Sequence, residues 1–299
     1  MLAGLTKPER QKMGRRAGAC FGLAALAACI CTNAVASAEE LVRFESAPFR
    51  VSEIQQRLAR ERGETLRAAA DTIQGYLSKP EGGGPFAAIV YLHGCAGLSE
   101  NARNHISQLM TGWGYASLAV DSFATRGIKD QCTHLAAPRL GDALGALSYL
   151  SGLPFVDSRR IAVVGSSQGA VVALQLVSTY QKEIFDAPRD LRFSAAVAYY
   201  PLCGIITEEL ILPALILIGE LDDWTPARDC ELWTKWQVNR GAPAKVIVYP
   251  GAYHAFDASA FADGRESFGH WVKYDATATA RSVQEMQSFL ASQFSRERR

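Results

Sequence analysis

The pentapeptide Gly-Ser-Ser-Gln-Gly at residues 165–169 constrains the fold more than any other part of the sequence. It follows the apolar run 160–164, which predicts a buried strand, and it opens the run 170–180, which is typical of a helix. A Gly-x-Ser-x-Gly sequence between a strand and a helix predicts a sharp turn that lifts the central serine above the end of a sheet. Larger side chains at the two glycine positions would collide with the neighbouring strand and helix. The pattern predicts a reactive Ser167, although Gly- and Ser-rich turns also match it by chance.

Apolar runs rich in β-branched residues alternate with helix-length amphipathic segments along the chain. The runs typical of strands are 72–77, 87–92, 115–120, 160–164, 195–199, 214–218 and 245–249, and the segments typical of helices are 100–111, 138–151, 168–180, 226–239 and 276–293. Several runs are apolar without alternation, as strands covered on both faces are. The repeated order predicts an α/β fold with a mostly parallel central sheet and helices on both faces.

Residues 39–299 are expected to form a single domain. No Pro- or Ser-rich linker divides them, and 48% hydrophobic and 20% charged residues are ordinary values for a globular protein. The charged segment 51–70 is helix-prone and is expected to pack at the edge before the sheet begins. No insertion between Gly169 and His254 is long enough for a large lid domain, so we expect an open site.

Residues 1–38 are typical of a secretory signal peptide. Basic residues precede the apolar run 17–30, and the small residues Ala-Ser-Ala follow at 36–38. This order predicts export to the periplasm or the medium, with cleavage after Ala38. The apolar run is shorter than the ~20 residues that a membrane span needs, so a stable span is not expected. A lipid anchor at Cys29 is an alternative, because the sequence before it resembles a lipoprotein cleavage box.

Charge and cysteine content narrow the class of protein further. The chain has 31 Lys and Arg against 30 Asp and Glu, interspersed without a basic stripe, so nucleic acid is not an expected partner. The cysteines outside the signal segment are Cys95, Cys132, Cys203 and Cys230. Four cysteines in an exported protein predict disulfides, with three possible connectivities. Because none has C-x-x-C spacing, no metal site is expected, and we expect no cofactor.

A serine nucleophile requires a base, and two histidines are candidates. In hydrolases with this turn the order along the chain is serine, acid and histidine, which leaves His254 and His270. His254 directly follows the predicted strand 245–249, where the loops of a parallel sheet form a site. No predicted strand precedes His270. We therefore expect His254 to be the base and His270 to have a surface or packing role.

The orienting acid is expected in the loop after the predicted strand 214–218. Asp222 has the favoured position between Gly219 and Pro226, where its carboxylate would accept a hydrogen bond from the histidine and fix its tautomer. The neighbouring acids Asp223 and Glu220 are the alternatives to Asp222. If they do not orient the histidine, they are expected to be solvated loop residues or helix-capping groups.

Two backbone N–H groups are expected to form an oxyanion hole. One belongs to Gln168, directly after the serine. The other is expected from the loop after the predicted strand 87–92, where the His93-Gly94 pair permits a sharp turn and presents the N–H of Cys95. His93 itself is expected to be a structural loop residue, because a base before Ser167 does not fit the chain order.

Together these segments resemble the dienelactone hydrolase family of α/β-hydrolases. The motifs are Leu-His-Gly-Cys at 92–95, the pentapeptide at 165–169, Gly-Glu-Leu-Asp at 219–222 and Tyr-His-Ala-Phe at 253–256. The resemblance runs from about Ala87 to Leu290. It implies an α/β-hydrolase fold without a large lid domain, and ester hydrolysis without a cofactor.

The chain departs from that family at two positions. Its founding members have a cysteine nucleophile where this chain has Ser167, and a glutamate where it has Gly94. The resemblance therefore implies a Ser-His-Asp esterase and makes dienelactone a doubtful substrate.

The resemblance also suggests where a substrate binds. Arg126 lies near the family's substrate-carboxylate arginine, with an ion-paired or surface arginine as the alternative. Phe123, Trp224, Tyr253 and Phe256 are expected to line or border the pocket. Such a pocket would take a partly apolar ligand with one anionic group.

Disulfide pairs follow from the expected positions of the cysteines around the site. Cys203 follows one predicted strand and Cys230 lies in the helix after Asp222, so the two can meet above adjacent strand ends. Cys95 and Cys132 flank the site from neighbouring loops. We predict the pairs Cys203–Cys230 and Cys95–Cys132.

The sequence thus predicts an exported serine hydrolase that cleaves small carboxylic esters through an acyl-Ser167 intermediate. Activity would require the neutral form of the histidine, because only a neutral base can accept the serine proton. A peptidase or an acyltransferase would use the same triad, and a catalytically idle binding module would keep the fold. The sequence leaves the oligomeric state open.

Overall fold

The computed structural model describes residues 39–65, 69–133, 138–179, 185–188 and 190–296. The predicted signal peptide, its cleavage site after Ala38 and the alternative anchor Cys29 lie outside these residues. In the part that is described, no helix is both long and apolar enough to cross a membrane.

Strands within the described residues form one eight-stranded sheet and one short hairpin. The strands are β1 (Glu40–Glu45), β2 (Thr72–Ser78), β3 (Phe86–Leu92), β4 (Ala116–Asp121), β5 (Val156–Ser166), β6 (Ala196–Tyr199), β7 (Ala214–Gly219), β8 (Ala244–Tyr249), β9 (Arg265–Ser267) and β10 (His270–Val272). The sheet order is β1-β2-β4-β3-β5-β6-β7-β8. The pairs β1–β2 and β2–β4 are antiparallel, and all later pairs of the sheet are parallel.

Helices connect the strands of the sheet in the predicted alternation. They are α1 (Glu53–Glu61), α2 (Glu100–Gly112), α3 (Arg139–Ser151), α4 (Gln168–Leu176), α5 (Ala227–Gln237) and α6 (Ala276–Arg296). The predicted α/β class with a mostly parallel sheet is confirmed, and no large lid domain occurs among the described residues. Central strands are buried on both faces, which explains why their sequences are apolar without alternation.

The main differences from the sequence prediction concern three elements, besides the unpredicted hairpin of β9 and β10. β1 was not predicted, because its buried residues Val42 and Phe44 alternate with exposed polar ones over too short a stretch to stand out. β5 begins at Val156, four residues before the predicted start at 160. α4 ends at Leu176 because Ser178 pairs with Leu210 in an isolated β-bridge, which draws the chain out of the helix.

Candidate active site

Ser167 lies in a strained turn between the end of β5 and the start of α4. Its φ of 52° and ψ of −118° are unusual for a residue with a side chain. A Cβ atom at Gly165 would lie 2.2 Å from the carbonyl oxygen of Gly169, and one at Gly169 would lie 2.2 Å from that of Leu92. Both contacts are impossible, so the two glycines allow β5, α4 and the end of β3 to pack closely around Ser167.

Three side chains from three loops form a continuous hydrogen-bonded chain. His254 follows β8, and its Nε2 lies 3.1 Å from Ser167 Oγ. Asp222 follows β7, and its Oδ2 lies 2.8 Å from His254 Nδ1. His254 and Asp222 are both buried. Because β5, β7 and β8 run parallel, their carboxyl ends bring these loops to one edge of the sheet.

The loop after β7 holds the Asp222 carboxylate in one orientation. Its Oδ1 accepts the backbone N–H groups of Trp224 at 3.0 Å and Thr225 at 2.8 Å. Its Oδ2 accepts the Thr225 hydroxyl at 2.9 Å, on the same oxygen that faces His254. Four hydrogen bonds therefore orient the carboxylate.

Neither alternative acid nor the alternative histidine takes part in this chain. Asp223 is exposed and lies 3.6 Å from His270 Nδ1, and Glu220 is exposed and accepts the backbone N–H of Gly251. The imidazole of His270 stacks on the indole of Trp224 with ring centroids 4.9 Å apart. These positions agree with the solvated and packing roles that the sequence offered as alternatives.

The two expected oxyanion donors lie on either side of Ser167. Gln168 is the first residue of α4, and Cys95 lies in the loop after β3. A Cβ atom at Gly94 would lie 3.5 Å from Ser167 Cβ, so that loop runs directly beside the serine. Neither the Gln168 nor the Cys95 N–H donates to another group of the described residues, which leaves both free for a ligand oxygen.

Two disulfides brace the loops around the site. Cys95 is joined to Cys132 and Cys203 to Cys230, the pairs that were predicted. The first links the loop that carries the Cys95 N–H to the segment before α3. The second links the loop after β6 to α5, which directly follows the loop of Asp222. Among the described residues, no group of three or more His, Cys, Asp or Glu side chains is arranged to hold a metal ion.

Two cavities open beside Ser167, each with a volume of about 550 Å³. Cys95, Ser167 and Trp224 line both. The first cavity is largely apolar, with polar groups from Arg139, Gln168, Gln131 and Gln175.

The second cavity has a buried polar floor. The Tyr91 hydroxyl lies 3.2 Å from Ser166 Oγ, and the Tyr200 hydroxyl donates to Asp257 Oδ1 at 2.7 Å. Burial raises the pKa of the Asp257 carboxyl. Both cavities are mostly apolar, and the second differs in having this buried polar cluster at its floor.

Most of the predicted pocket residues do not line either cavity. Trp224 does, as predicted. Phe123, Tyr253 and Phe256 do not line either cavity, and Phe123 and Phe256 lie behind the lining residues His93 and Tyr200. Phe123 is buried edge-on against the ring of His93, and Phe256 is fully buried among tyrosines, because both side chains point into the core from their loops.

Arg126 is an ion-paired residue and not a substrate-binding one. Its Nη1 and Nη2 groups donate to the two oxygens of Asp142 at 2.8 Å each, and its Nε donates to Asp71 at 2.8 Å. Nη1 also donates to the carbonyl oxygen of Ser122. With its guanidinium committed to these acceptors and outside both cavity linings, the proposed carboxylate-binding role of Arg126 is corrected.

Sequence reasoning missed Arg139. It opens α3, is only 4% exposed and lines the first cavity. Burial lowers the pKa of its guanidinium to about 10, which leaves it charged at neutral pH. Only its place at a predicted helix start marked this residue in the sequence, and that is a common place for a surface side chain.

Comparisons with known proteins show the family and the fold of this chain. The family model described as the dienelactone hydrolase family matches residues 73–294. Esterase FrsA of Klebsiella pneumoniae is 30% identical over 108 residues, which cover 35% of this chain and 25% of the esterase. This chain therefore matches about a quarter of the length of that relative.

Two solved structures share the fold. A dienelactone hydrolase-like promiscuous phosphotriesterase from metagenomic libraries aligns with a TM-score of 0.60 at 20% identity, covering 85% of this chain and 98% of that one. A thermophilic esterase of the Planctomycetes species Thermogutta terrifontis aligns with a TM-score of 0.58 at 17% identity, covering 74% and 90%.

Proposed function

The chain belongs to the dienelactone hydrolase family, and from this premise we propose that it is an exported serine esterase that hydrolyses small carboxylic esters. The observation that carries the proposal is the hydrogen-bonded chain from Ser167 through His254 to Asp222. A buried base and acid in this order are what a serine hydroxyl needs to become a nucleophile.

The first step forms a tetrahedral intermediate, from which the acyl-enzyme arises when the ester C–O bond breaks. Ser167 Oγ attacks the ester carbonyl carbon while His254 Nε2 accepts the hydroxyl proton. Asp222 accepts the Nδ1–H of His254, which keeps Nε2 free as a base and stabilises the imidazolium that forms. The carbonyl oxygen becomes an oxyanion, to which the N–H groups of Gln168 and Cys95 donate. One such donor is worth about 10²- to 10³-fold in kcat in comparable hydrolases.

The second step releases both products. His254 returns the proton to the departing alkoxide, which leaves as an alcohol, and an ester bond now joins the acyl group to Ser167. A water molecule then attacks that ester while His254 accepts its proton. Collapse of the second tetrahedral intermediate breaks the bond to Ser167 Oγ, which regains a proton, and releases the carboxylic acid.

The two cavities support a small ester as the substrate. They meet at Ser167, so the acyl group and the alcohol group can occupy opposite sides of the scissile bond. A volume of about 550 Å³ on each side is in the ordinary range of small-molecule sites. The related Thermogutta terrifontis esterase has been solved with propionate bound, a short acyl group.

Two features support export: the two disulfides among the described residues, and the predicted signal peptide. Two disulfides suggest an oxidising compartment, since cytosolic thiols are kept reduced. A lipid anchor at Cys29 remains the alternative to release after Ala38. A peptidase or acyltransferase on the same triad, and a catalytically idle binding module, remain the alternative functions.

A fluorophosphonate probe tests the proposal directly. We expect wild-type protein to be labelled and Ser167→Ala not to be, with p-nitrophenyl esters of graded acyl length turned over best at short chain lengths. Thr179→Ala, a loop residue outside both cavity linings, is the matched hydroxyl-removal control and should still be labelled. Folded wild-type protein that is neither labelled nor active on any ester would contradict the proposal.

A further inference from the structure

Two successive carbonyl groups of the loop that carries the Cys95 N–H are held by side chains. We call residues 93–96 the oxyanion loop. The carbonyl oxygen of His93 accepts a hydrogen bond from Arg139 Nη2, and that of Gly94 lies 2.6 Å from His93 Nδ1. The side chains of His93 and Arg139 therefore constrain the orientation of both peptide groups, and the backbone N–H of Gly97 adds a longer hydrogen bond of 3.3 Å to Gly94 O.

The tautomer of His93 follows from its two contacts. Its Nε2 faces the backbone N–H of Ser122 at 3.4 Å, so Nε2 accepts and carries no hydrogen. Nδ1 consequently carries the hydrogen and donates to Gly94 O. Burial and the nearby Arg139 charge hold the pKa of His93 well below its usual value, which keeps the ring neutral and preserves this donor and acceptor pattern.

The His93 ring thereby fixes the direction of one oxyanion donor. Gly94 O and Cys95 N–H belong to the same peptide group, and in a trans peptide the C=O and N–H bonds point in opposite directions. Because the Nδ1–H group holds Gly94 O in place, the Cys95 N–H can point in only one direction. Gly94 has no side chain to resist rotation of this peptide, so its orientation depends on the hydrogen bonds that the peptide makes.

Arg139 connects the oxyanion loop to the second donor. Its Nη1 donates to Gln168 Oε1 at 3.0 Å while Nη2 donates to His93 O. Gln131 Nε2 also donates to Gln168 Oε1. One planar guanidinium thus contacts both the oxyanion loop and the side chain of Gln168, the residue that supplies the other donor.

The charge of Arg139 is unusual for a buried arginine. Among the described residues no carboxylate lies within ion-pair distance of it, because the nearby Asp142 is engaged by Arg126 and Ser46. Its Nε is buried without a partner in that part of the chain. A buried cation behind two oxyanion donors gains a negative partner when charge develops on the ester oxygen.

We propose that His93 and Arg139 are positioning residues that together hold the oxyanion hole in its productive geometry. The inference rests on the proposed esterase function and adds two residues to it that act through the oxyanion donors. His93 cannot be the base, because it precedes Ser167 in the chain, but it can position the oxyanion loop.

Paired variants separate a positioning role from simple packing. The amide nitrogen of asparagine can take the place of imidazole Nδ1, whereas that of glutamine reaches the place of Nε2. In steady-state hydrolysis of p-nitrophenyl butyrate, we expect His93→Asn to keep kcat within about threefold of wild type. His93→Gln should lose about tenfold or more, with KM changed by less than about threefold in both.

Arg139 is tested in the same assay. Arg139→Met should lower kcat by about 10- to 10²-fold, and Arg139→Lys should recover part of that loss because it restores the charge and one donor. Arg160→Met is the matched control for loss of a buried guanidinium. Arg160 is ion-paired to Asp157 in the first half of β5, away from Ser167, and its variant should keep kcat.

Each outcome decides the inference. Equal kcat in His93→Asn and His93→Gln, or an Arg139→Met kcat within twofold of wild type, would overturn it. If Arg139→Met does not fold by circular dichroism, equal kcat in Arg139→Lys and wild type, together with equal kcat in the two His93 variants, would overturn it as well. Wild-type protein without fluorophosphonate labelling would instead defeat the proposed function, and this inference with it.

Discussion

The indole ring of Trp224 lies against the imidazole of His254, with the two ring centroids 5.0 Å apart. The same indole lines both cavities, so one residue borders the proposed base and both expected binding spaces. Its backbone N–H also donates to Asp222 at 3.0 Å, which ties the cavity wall to the proposed acid. Trp224 therefore connects the walls of both cavities to the proposed base and acid.

Replacing the indole should mainly affect substrate binding. We expect Trp224→Ala to raise KM for short p-nitrophenyl esters by about tenfold, because a large shared apolar wall is lost, while bulkier esters gain access. Trp224→Phe should stay within about threefold of wild type. A Trp224→Ala variant with unchanged KM across the ester series would show that substrate does not contact this wall.

The two adjacent aspartates should differ sharply in their effect on catalysis. Asp222→Asn should lower kcat by about 10⁴-fold, because the amide favours the wrong tautomer of His254. Asp223→Asn is the matched control and should keep kcat within about twofold, since Asp223 contacts His270 at the surface. Similar losses in both variants, measured as kcat on one ester, would contradict the assignment of the acid.

Arg126 should contribute to stability and not to substrate choice. Arg126→Met leaves the fully buried Asp142 without its ion-pair partner, which should lower the free energy of unfolding by about 3 to 5 kcal/mol in urea denaturation. Adding Asp142→Asn should recover part of that loss. The ratio of KM values for anionic and neutral esters should not change; a selective rise for anionic esters would restore the substrate-binding role.

The buried neutral His93 should make stability depend on pH. Its pKa lies well below 6.5 in the folded protein, so between that pKa and 6.5 the unfolded chain binds a proton that the folded chain does not. Stability is therefore complete above 6.5 and falls as the pH is lowered through this window. We expect the free energy of unfolding to drop between pH 7 and pH 5 by up to about 2 kcal/mol more in wild type than in His93→Asn. Parallel pH curves for the two proteins would contradict this.

The disulfides should be present in the mature protein and should stabilise it. Thiol titration of unreduced protein after removal of residues 1–38 should find no free thiols. Cys203→Ser together with Cys230→Ser opens a loop with a sequence separation of 27 residues, which should cost about 3 to 4 kcal/mol of unfolding free energy in the chain-entropy model. Four reactive thiols in the natively secreted protein would exclude both bridges.

Periodicity and short motifs were sufficient for the architecture and for the candidates of the triad. Strand and helix runs were found within a few residues because burial on both faces of a parallel sheet leaves a continuous apolar sequence. Strand β1 was missed because an edge strand buries only alternate residues, such as Val42 and Phe44. Ser167, Asp222 and His254 could be selected because each directly follows a strand, and parallel strands bring such positions to one edge whatever the packing details.

The spacing of residues along the sequence does not show which way a side chain points or which charged groups pair. Phe123 and Phe256 lie in the correct loops yet point into the core, because the direction of a loop side chain depends on what packs against it. Arg126 was selected from the sequence as a cation near the site, and Arg139 was not. Asp142 is held by Arg126, and this pairing leaves the Arg139 guanidinium for His93 O and Gln168. Local sequence therefore decides where the reactive turn forms, whereas three-dimensional packing decides which buried groups pair and which remain available beside Ser167.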